Sequence, residues 1–458
     1  MTSRASIGKS RAKEPGVIAG KTAAIDAGIA TAESRRVAIA RETIALVRSA
    51  LPPAGRLEVV LAQDATPDRT AAARVVVSGP GALARMLWPP SADGFGEAYL
   101  RGDIDIEGDI WAAIDAGRAV DLRRLGRHLP RLVQLGLDLR RGATEPAREL
   151  RRVARLHGQR HSRARDLAAV RFHYDVGNDF FSLWLDKRLV YSTAYFETPE
   201  TTLDDAQEAK LDLICRKLRL APGMRVLDVG CGWGSLVCFA AERYGVEAVG
   251  ITLSAAQAKW ASAEIERWGL GGRAKVLVRD YRDIGGLGTF EAVSSVGMFE
   301  HVGRERLNDY FGAAFRALRP GGLFLNHGIA TTAVARGLRP GWTRFGGGGF
   351  VGRYIFPDGE LVTVEDAAGF ARRSGFELID VQRLRPHYAL TLKAWVERLE
   401  ASADRARQIA GEEVYRAWRL YMAAARRGFE EGSIDVAQLL LARPGADGPA
   451  SLPLRPWW

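Results

Sequence analysis

The chain of 458 residues is long enough for two domains, or for one domain with a large extension. A hydrophobic fraction of 47% and a charged fraction of 26% fit a soluble globular protein, and no apolar run reaches the ~18–20 residues that would span a bilayer. The formal net charge is +11, which suits anionic partners. The three cysteines (Cys215, Cys231, Cys238) and seven histidines lack the spacing of a disulfide framework or a metal site.

In chain order, residues 1–40 are Ala-rich and polar and are expected to be mobile. They contain no apolar segment or cleavage site of a secretory signal, so a cytoplasmic location is expected. Residues 41–122 read as a small α/β accessory domain. Within it LEVVLAQ and ARVVVSG have a strand pattern, and Phe95–Asp109 (FGEAYLRGDIDIEGD) reads as a structured turn region. Such a module could bind lipid or form a homodimer. Residues 123–165 hold thirteen Arg against three acids, with Leu122, Leu125, Leu129, Leu132 and Leu135 at helical spacing, and read as a basic helical connector. A charge run is most simply a solvated face; an anionic membrane surface and a nucleic acid are the sharper alternatives.

Residues 166–458 form the expected main domain. From Met224 onward five β-rich runs (RVLDVG, EAVGIT, AKVLVRD, EAVSSVGM and GGLFLNHGI) alternate with helical segments over 235–244, 254–268 and 304–318. A further strand over Glu377–Leu384 and helices over 389–404 and 412–431 follow. This alternation predicts an α/β fold with a doubly wound, Rossmann-like parallel sheet, whose ligands sit at the carboxyl ends of the strands.

The first of these strands runs into Val226-Leu227-Asp228-Val229-Gly230-Cys231-Gly232-Trp233-Gly234 and then a helix. Glycines let such a turn tighten and approach a ligand closely. In a dinucleotide-binding loop the third glycine would fall at Ser235; here it falls at Gly234, after Asp228. That D-x-G-x-G-x-G form is the one associated with S-adenosylmethionine, and the plainer alternative is a Gly-rich turn of some other nucleotide-binding protein. The second strand ends without the acid that often holds ribose hydroxyls. In its place stand Thr252, Leu253 and Ser254, then Gln257, whose hydroxyl and amide groups can do the same.

Eight separated segments resemble the cyclopropane fatty acid and mycolic acid cyclopropane synthases, in the same order. They are FHYDVGNDFFSLWLD, YSTAYF, VLDVGCGWG, GITLSAAQ, GMFEHVG, FLNHGI, YIFPDGEL and RPHYALTL, between about Val170 and Asp435. The resemblance implies a class I methyltransferase sheet and methyl transfer from S-adenosylmethionine to the cis double bond of an acyl chain. For the bacterial cyclopropane synthases that chain is already esterified in membrane phospholipid. It implies that Tyr191, Ser192, the loop Val226–Gly234, Thr252, Leu253, Gln257, Tyr281 and Arg282 line the cofactor site. It further implies a bicarbonate ion held by Glu300, His327, Tyr388 and the backbone at Ile329, close to Thr193, where many members have Cys. A late-helix Cys once considered as a nucleophile in the family is Ala425 here, so no thiol is present at that position.

Taken singly, these residues have plainer readings. Tyr388 is a half-buried core aromatic, His327 is divided between core and function, and His301 is a local helix cap. Glu300 at a buried strand end needs a partner or a role. The implied reaction has the alkene attack the sulfonium methyl, a cation form on the neighbouring carbon, and bicarbonate remove a proton to close the ring. Trp342, Phe345, Phe350, Tyr354 and Phe356, around Gly346–Gly349, read either as a lid over an apolar acyl channel or as core. The expected partners are unsaturated phospholipid acyl chains and the anionic inner face of a membrane, touched peripherally. One rival stops before ring closure and gives a methylene- or methyl-branched chain. A nucleic-acid methyltransferase is disfavoured by GMFEHVG, which stands where amino-methylating enzymes of that class carry N/D-P-P-Y.

Overall fold

A computed structural model describes residues 16–52, 57–66, 71–87, 92–141, 148–332, 349–445 and 448–458. The chain divides into two units. One comprises Met1–Pro90 and Gly102–Ala147, the other Ser91–Arg101 and Arg148–Trp458.

The first unit begins with α1 (Gly16–Ser49), followed by β1 (Leu57–Leu61), β2 (Ala73–Val77) and α2 (Pro80–Leu87). After α3 (Ala92–Arg101), which belongs to the second unit, it resumes with β3 (Ile104–Gly108), α4 (Ile110–Arg118), α5 (Leu122–Arg127) and α6 (Leu129–Arg141). β1 pairs parallel with β2, and β2 antiparallel with β3. Asp109 and Asp121 start α4 and α5 by accepting the otherwise unpaired amides of Trp111 and of Arg123 and Arg124. α6 buries Leu132, Leu135 and Leu139, while Leu129, Val133 and Leu137 stay exposed.

Three expectations change here. The stretch 1–40 is helical from Gly16, and residues 1–15 lie outside the described residues. Phe95–Asp109 is the end of a helix and a strand rather than a turn region, because Ile104 and Ile106 alternate inward as β3 pairs with β2. Among the described residues the basic segment is helical up to Arg141 and again from Arg163, while residues 148–162 form no helix or strand.

The second unit continues with α7 (Arg163–Tyr174), α8 (Asn178–Phe181), α9 (Leu203–Lys217), β4 (Arg225–Val229), α10 (Ser235–Tyr244), β5 (Glu247–Thr252), α11 (Ala255–Arg267) and β6 (Ala274–Val278). Then come β7 (Phe290–Val296), α12 (Leu307–Ala317), β8 (Leu318–Thr331), α13 (Phe350–Tyr354), α14 (Val364–Arg373) and β9 (Glu377–Arg383). Last are α15 (Arg385–Ala401), α16 (Ala403–Ala410), α17 (Glu412–Glu430) and β10 (Ile434–Ala442). The seven strands order as β6-β5-β4-β7-β8-β10-β9. β10 runs antiparallel to both neighbours, and the pairings among β4–β8 are parallel.

The central strands read as continuous apolar runs because both faces are covered. Along β4, Val226 faces one apolar layer, with Val237, Ala240 and Leu325; Leu227 and Val229 face the other, with Phe290, Phe311 and Phe324. β10 is buried along its whole length. Of the aromatics expected at a lid, Trp342 and Phe345 lie outside the described residues, as do residues 346–348. Phe350 rests on Tyr354, the Tyr354 hydroxyl donates to Glu97 over 2.9 Å, and Phe356 stacks on His301.

Gly250 in β5 lets α10 approach the sheet, since a Cβ there would stand 2.7 Å from Cys231 Sγ and 2.8 Å from Val237. Gly250→Val is therefore expected to cost about 1–3 kcal/mol through overpacking. An unchanged urea midpoint would refute that account of the packing.

Candidate active site

The loop after β4 supplies a cradle. Gly230 has φ +79°, and a Cβ there would meet Met298 at 2.7 Å; Gly232 has φ +55° and open space where its side chain would be. The Ile251 carbonyl accepts the amides of Gly230 and Cys231, each over 2.9 Å, which ties the loop to β5. Asp228 is buried and accepts from Ser294 Oγ over 2.7 Å, and burial pushes its carboxyl up to about 6. Val226, Leu227, Val229 and Cys231 are packed in the apolar layers, so they hold the loop rather than face a ligand. Trp233 donates its indole N–H to Asn178 over 2.8 Å. With Gly234 it also walls a separate 260 Å³ cleft shared with Arg188, Trp260 and Trp268.

After β5, Ser254 caps α11 by accepting the Gln257 amide, and Thr252 Oγ1 donates to Gln257 Oε1 over 2.8 Å. The Gln257 Nε2 group is left buried with no partner, a donor free for a ligand hydroxyl. Leu253 follows on the same turn. Tyr281 is buried edge-on against Tyr310. The Arg282 guanidinium is committed to Asp280, Asp166 and the His161 carbonyl, so its side chain is engaged within the protein.

Val190–Phe196 is a buried strip outside any sheet, and the groups that hold it come from α9, α15 and the preceding turn. Asp186 accepts the Val190 amide. Gln207 donates to the carbonyls of Val190 and Ser192 over 3.3 and 2.9 Å, and Lys210 Nζ donates to Ser192 Oγ over 3.0 Å. From α15, Thr391 Oγ1 accepts the Ala194 amide and His387 Nδ1 accepts that of Phe196. Tyr191, Ser192 and Thr193 are thus fixed in place, with Ser192 next to Gly297 at the end of β7. Burial pulls the Lys210 ammonium down to about 8, against the raising influence of Asp186 and Asp228.

Glu300 sits in a short turn after β7, buried, with Oε1 accepting the Ile329 amide over 2.6 Å. Its Oε2 has no partner, and burial raises the carboxyl to about 7. The Ile329 amide, expected to face an anion, is therefore already engaged by Glu300. His327 lies in the interior of β8 rather than at its end, two residues before Ile329 on the same strand face. Burial keeps its imidazole neutral, and its Nε2 has no partner. Tyr388 is in the first turn of α15, not in a loop; it packs on Phe429 and feels the charge of Glu300. Burial raises its hydroxyl pKa, which keeps it a donor.

An aromatic cluster built from His173, Phe181, Trp184, Tyr191, Trp395 and Trp418 surrounds the strip. Tyr191 makes ring contacts of 5.3–5.9 Å with the other five.

Sequence reasoning missed Gln207, Lys210, Thr391 and Gln438. The first two look like ordinary surface positions in a charged helix, and only their burial (0% and 1% exposed) marks them. Gln438 did leave a signal, a lone amide in the apolar run VAQLLLA.

A seven-stranded sheet of this order, with a glycine cradle after its first strand, a buried carboxyl after the fourth and a buried imidazole within the fifth, defines a class I S-adenosylmethionine-dependent methyltransferase. The profile of the family "Mycolic acid cyclopropane synthetase" matches residues 161–439, and the chain belongs to that family. Among its relatives is a "Probable fatty acid methyltransferase" of Pseudomonas putida, 41% identical over 371 residues, 81% of this chain and 87% of the relative. Another is the "Cyclopropane-fatty-acyl-phospholipid synthase" of Escherichia coli (strain K12), 33% identical over 383 residues, 83% and 90% of the two chains. The crystal structure of mycolic acid cyclopropane synthase CmaA1 complexed with SAH and CTAB is similar with a TM-score of 0.57 and 37% identity. That likeness covers 60% of this chain and 98% of that one.

The raised Glu300 pKa has a stability consequence. Folding favours its protonated form, so the wild type loses stability as pH rises from below the ordinary carboxyl value through about 7. Glu300→Gln has no such titration. Its stability relative to wild type is expected to grow by about 2–3 kcal/mol between pH 4 and 8, read from urea midpoints; a pH-independent difference would count against it.

Proposed function

We propose that this chain transfers a methyl group from S-adenosylmethionine to the cis double bond of an unsaturated acyl chain in phospholipid, and closes it to a cyclopropane. The observation that carries this reading is the pair of buried, unpartnered polar atoms Glu300 Oε2 and His327 Nε2, at the ligand-binding edge of a sheet belonging to this family. The open space at Gly232 and the free amide of Gln257 fit the donor, with Tyr191, Ser192, Thr252 and Tyr281 around it. Glu300, His327 and Tyr388 fit a small oxyanion such as bicarbonate, and Thr193 belongs to the same strip as Ser192. When bound, S-adenosylmethionine supplies an electrophilic methyl group and bicarbonate supplies a base.

The chain's own groups do the rest. A neutral His327, a Tyr388 hydroxyl and a protonated Glu300 can each donate a hydrogen bond to an oxyanion and hold it in one place. The rings around Tyr191 exclude water and turn π faces toward a developing cation. An isolated alkene is a weak nucleophile, so alignment with the sulfonium methyl must carry much of the acceleration.

A second reading stops before ring closure. It is favoured by the likeness to the Pseudomonas putida relative, named a probable fatty acid methyltransferase. One assay separates the two: incubation with methyl-labelled S-adenosylmethionine and unsaturated phospholipid vesicles. Proton NMR of the lipid is expected to show upfield ring protons. Vinylidene or branched-methyl signals would select the second reading, and unlabelled lipid would overturn both.

The membrane partner has support in the first unit. No helix among the described residues is long and apolar enough to cross a bilayer. On α5 and α6, Leu122, Leu129, Val133 and Leu137 are 51%, 55%, 38% and 38% exposed. Arg123, Arg127 and Arg140 are exposed beside them. An apolar stripe edged with guanidinium groups suits the anionic cytoplasmic face of a membrane. Changing Leu129, Val133 and Leu137 together to Ser is expected to weaken sedimentation with anionic vesicles several-fold and leave cofactor affinity intact. Unaltered sedimentation, or a loss of dimer mass instead, would sink this assignment.

A further inference from the structure

We propose that Gln438 is a positioning residue for the reaction: its amide N–H bonds to Nδ1 of His327 and fixes the imidazole as the tautomer with its proton on Nε2. This rests on the reading of Glu300, His327 and Tyr388 as an oxyanion site.

The geometry comes from the sheet. β10 lies antiparallel against β8 with Gln438 directly opposite His327, so both side chains leave the same face. Both are buried, at 0% and 1% exposure, and Gln438 Nε2 lies 3.3 Å from His327 Nδ1. In a neutral imidazole one nitrogen donates and the other accepts. A donor at Nδ1 makes that nitrogen the acceptor and leaves the proton on Nε2, the atom with no protein partner. An oxyanion needs a donor there. The ring has little access to the imidazolium alternative, because burial and the cations Lys210 and Lys217 all disfavour a second proton. Only the tautomer remains to be chosen, and Gln438 is the group placed to choose it.

A buried amide opposite a buried imidazole is an expensive arrangement among the apolar residues Val436, Ala437, Leu439, Leu440 and Leu441. Its Oε1 is itself without a partner. A methionine of similar length would pack the same space without a polar atom of its own but would leave His327 Nδ1 unmet, so packing alone does not account for Gln438.

The test uses the full chain labelled with 15N-histidine, with Gln438→Met and Gln438→Glu as variants. In the wild type, ring 15N shifts and couplings of His327 are expected to show a protonated Nε2. The carboxylate of Gln438→Glu accepts from Nδ1 and moves the proton there, whereas Gln438→Met leaves a mixture. Both variants are expected to lose about 10–100-fold in kcat, as for partners that orient a reacting group. KM for S-adenosylmethionine and affinity for S-adenosylhomocysteine should stay within about twofold, which also shows that the fold is intact. In Gln438→Glu the pH–rate profile should shift as well, since the new carboxylate titrates against the ring. A wild-type ring protonated on Nδ1, or full kcat in Gln438→Met, would overturn the proposal. Absence of lipid product, with an Nε2–H ring that Gln438→Glu abolishes, would fault the reaction reading and leave the tautomer assignment supported.

Discussion

A buried peptide group must be hydrogen-bonded, and the strip Val190–Phe196 has no sheet to join. Its amides and carbonyls are met by Asp186, Gln207, Thr391 and His387, and its serine hydroxyl by Lys210. Satisfying that backbone brings α9 and α15 together over the carboxyl edge of the sheet. α15 then carries Tyr388 one turn before Thr391, and the strip carries Tyr191 into the aromatic cluster. A clamp built for backbone hydrogen bonds thus also places Tyr388 and Tyr191.

The electrostatics follow from the same burial. Asp228, Glu300, His327 and Lys210 are each moved toward their neutral forms because little water reaches them. A site with few fixed charges suits a reaction whose own charge travels from sulfur to carbon. Hydrogen-bond donors that do not reorganise can follow that charge at small cost. The cysteines follow the same trend: Cys215, Cys231 and Cys238 are all buried, and burial holds their thiols protonated.

Much of the sheet could be read from the sequence, because strands covered on both faces leave unbroken apolar runs and the loop after β4 has a spacing of its own. The elements that escaped lack such marks. α3 and β3 lie in a segment whose glycines and alternating acids look like a turn, and only pairing with β2 settles β3. β10 follows directly on a helix, so it looks like that helix's tail until its two partners are known. At the site, motif positions such as Glu300 and His327 were legible. The supports of the Val190–Phe196 strip were not, since Gln207 and Lys210 belong to a helix whose charge pattern resembles a solvated face. The tie between Glu300 and the Ile329 amide is a distance, and no spacing encodes it.

The interior position of β10 has a consequence for how the protein is made. It wedges between β8 and β9, yet it is translated after both, more than a hundred residues behind His327. Until it arrives, two hydrogen-bonding edges stand open and the imidazole lacks its neighbour. A nascent chain stalled before Ile434 would hold most of the donor cradle with an unfinished sheet, exposed to aggregation and a target for proteolysis. The pairing of β8 and the surroundings of His327 are therefore completed only when β10 has been added.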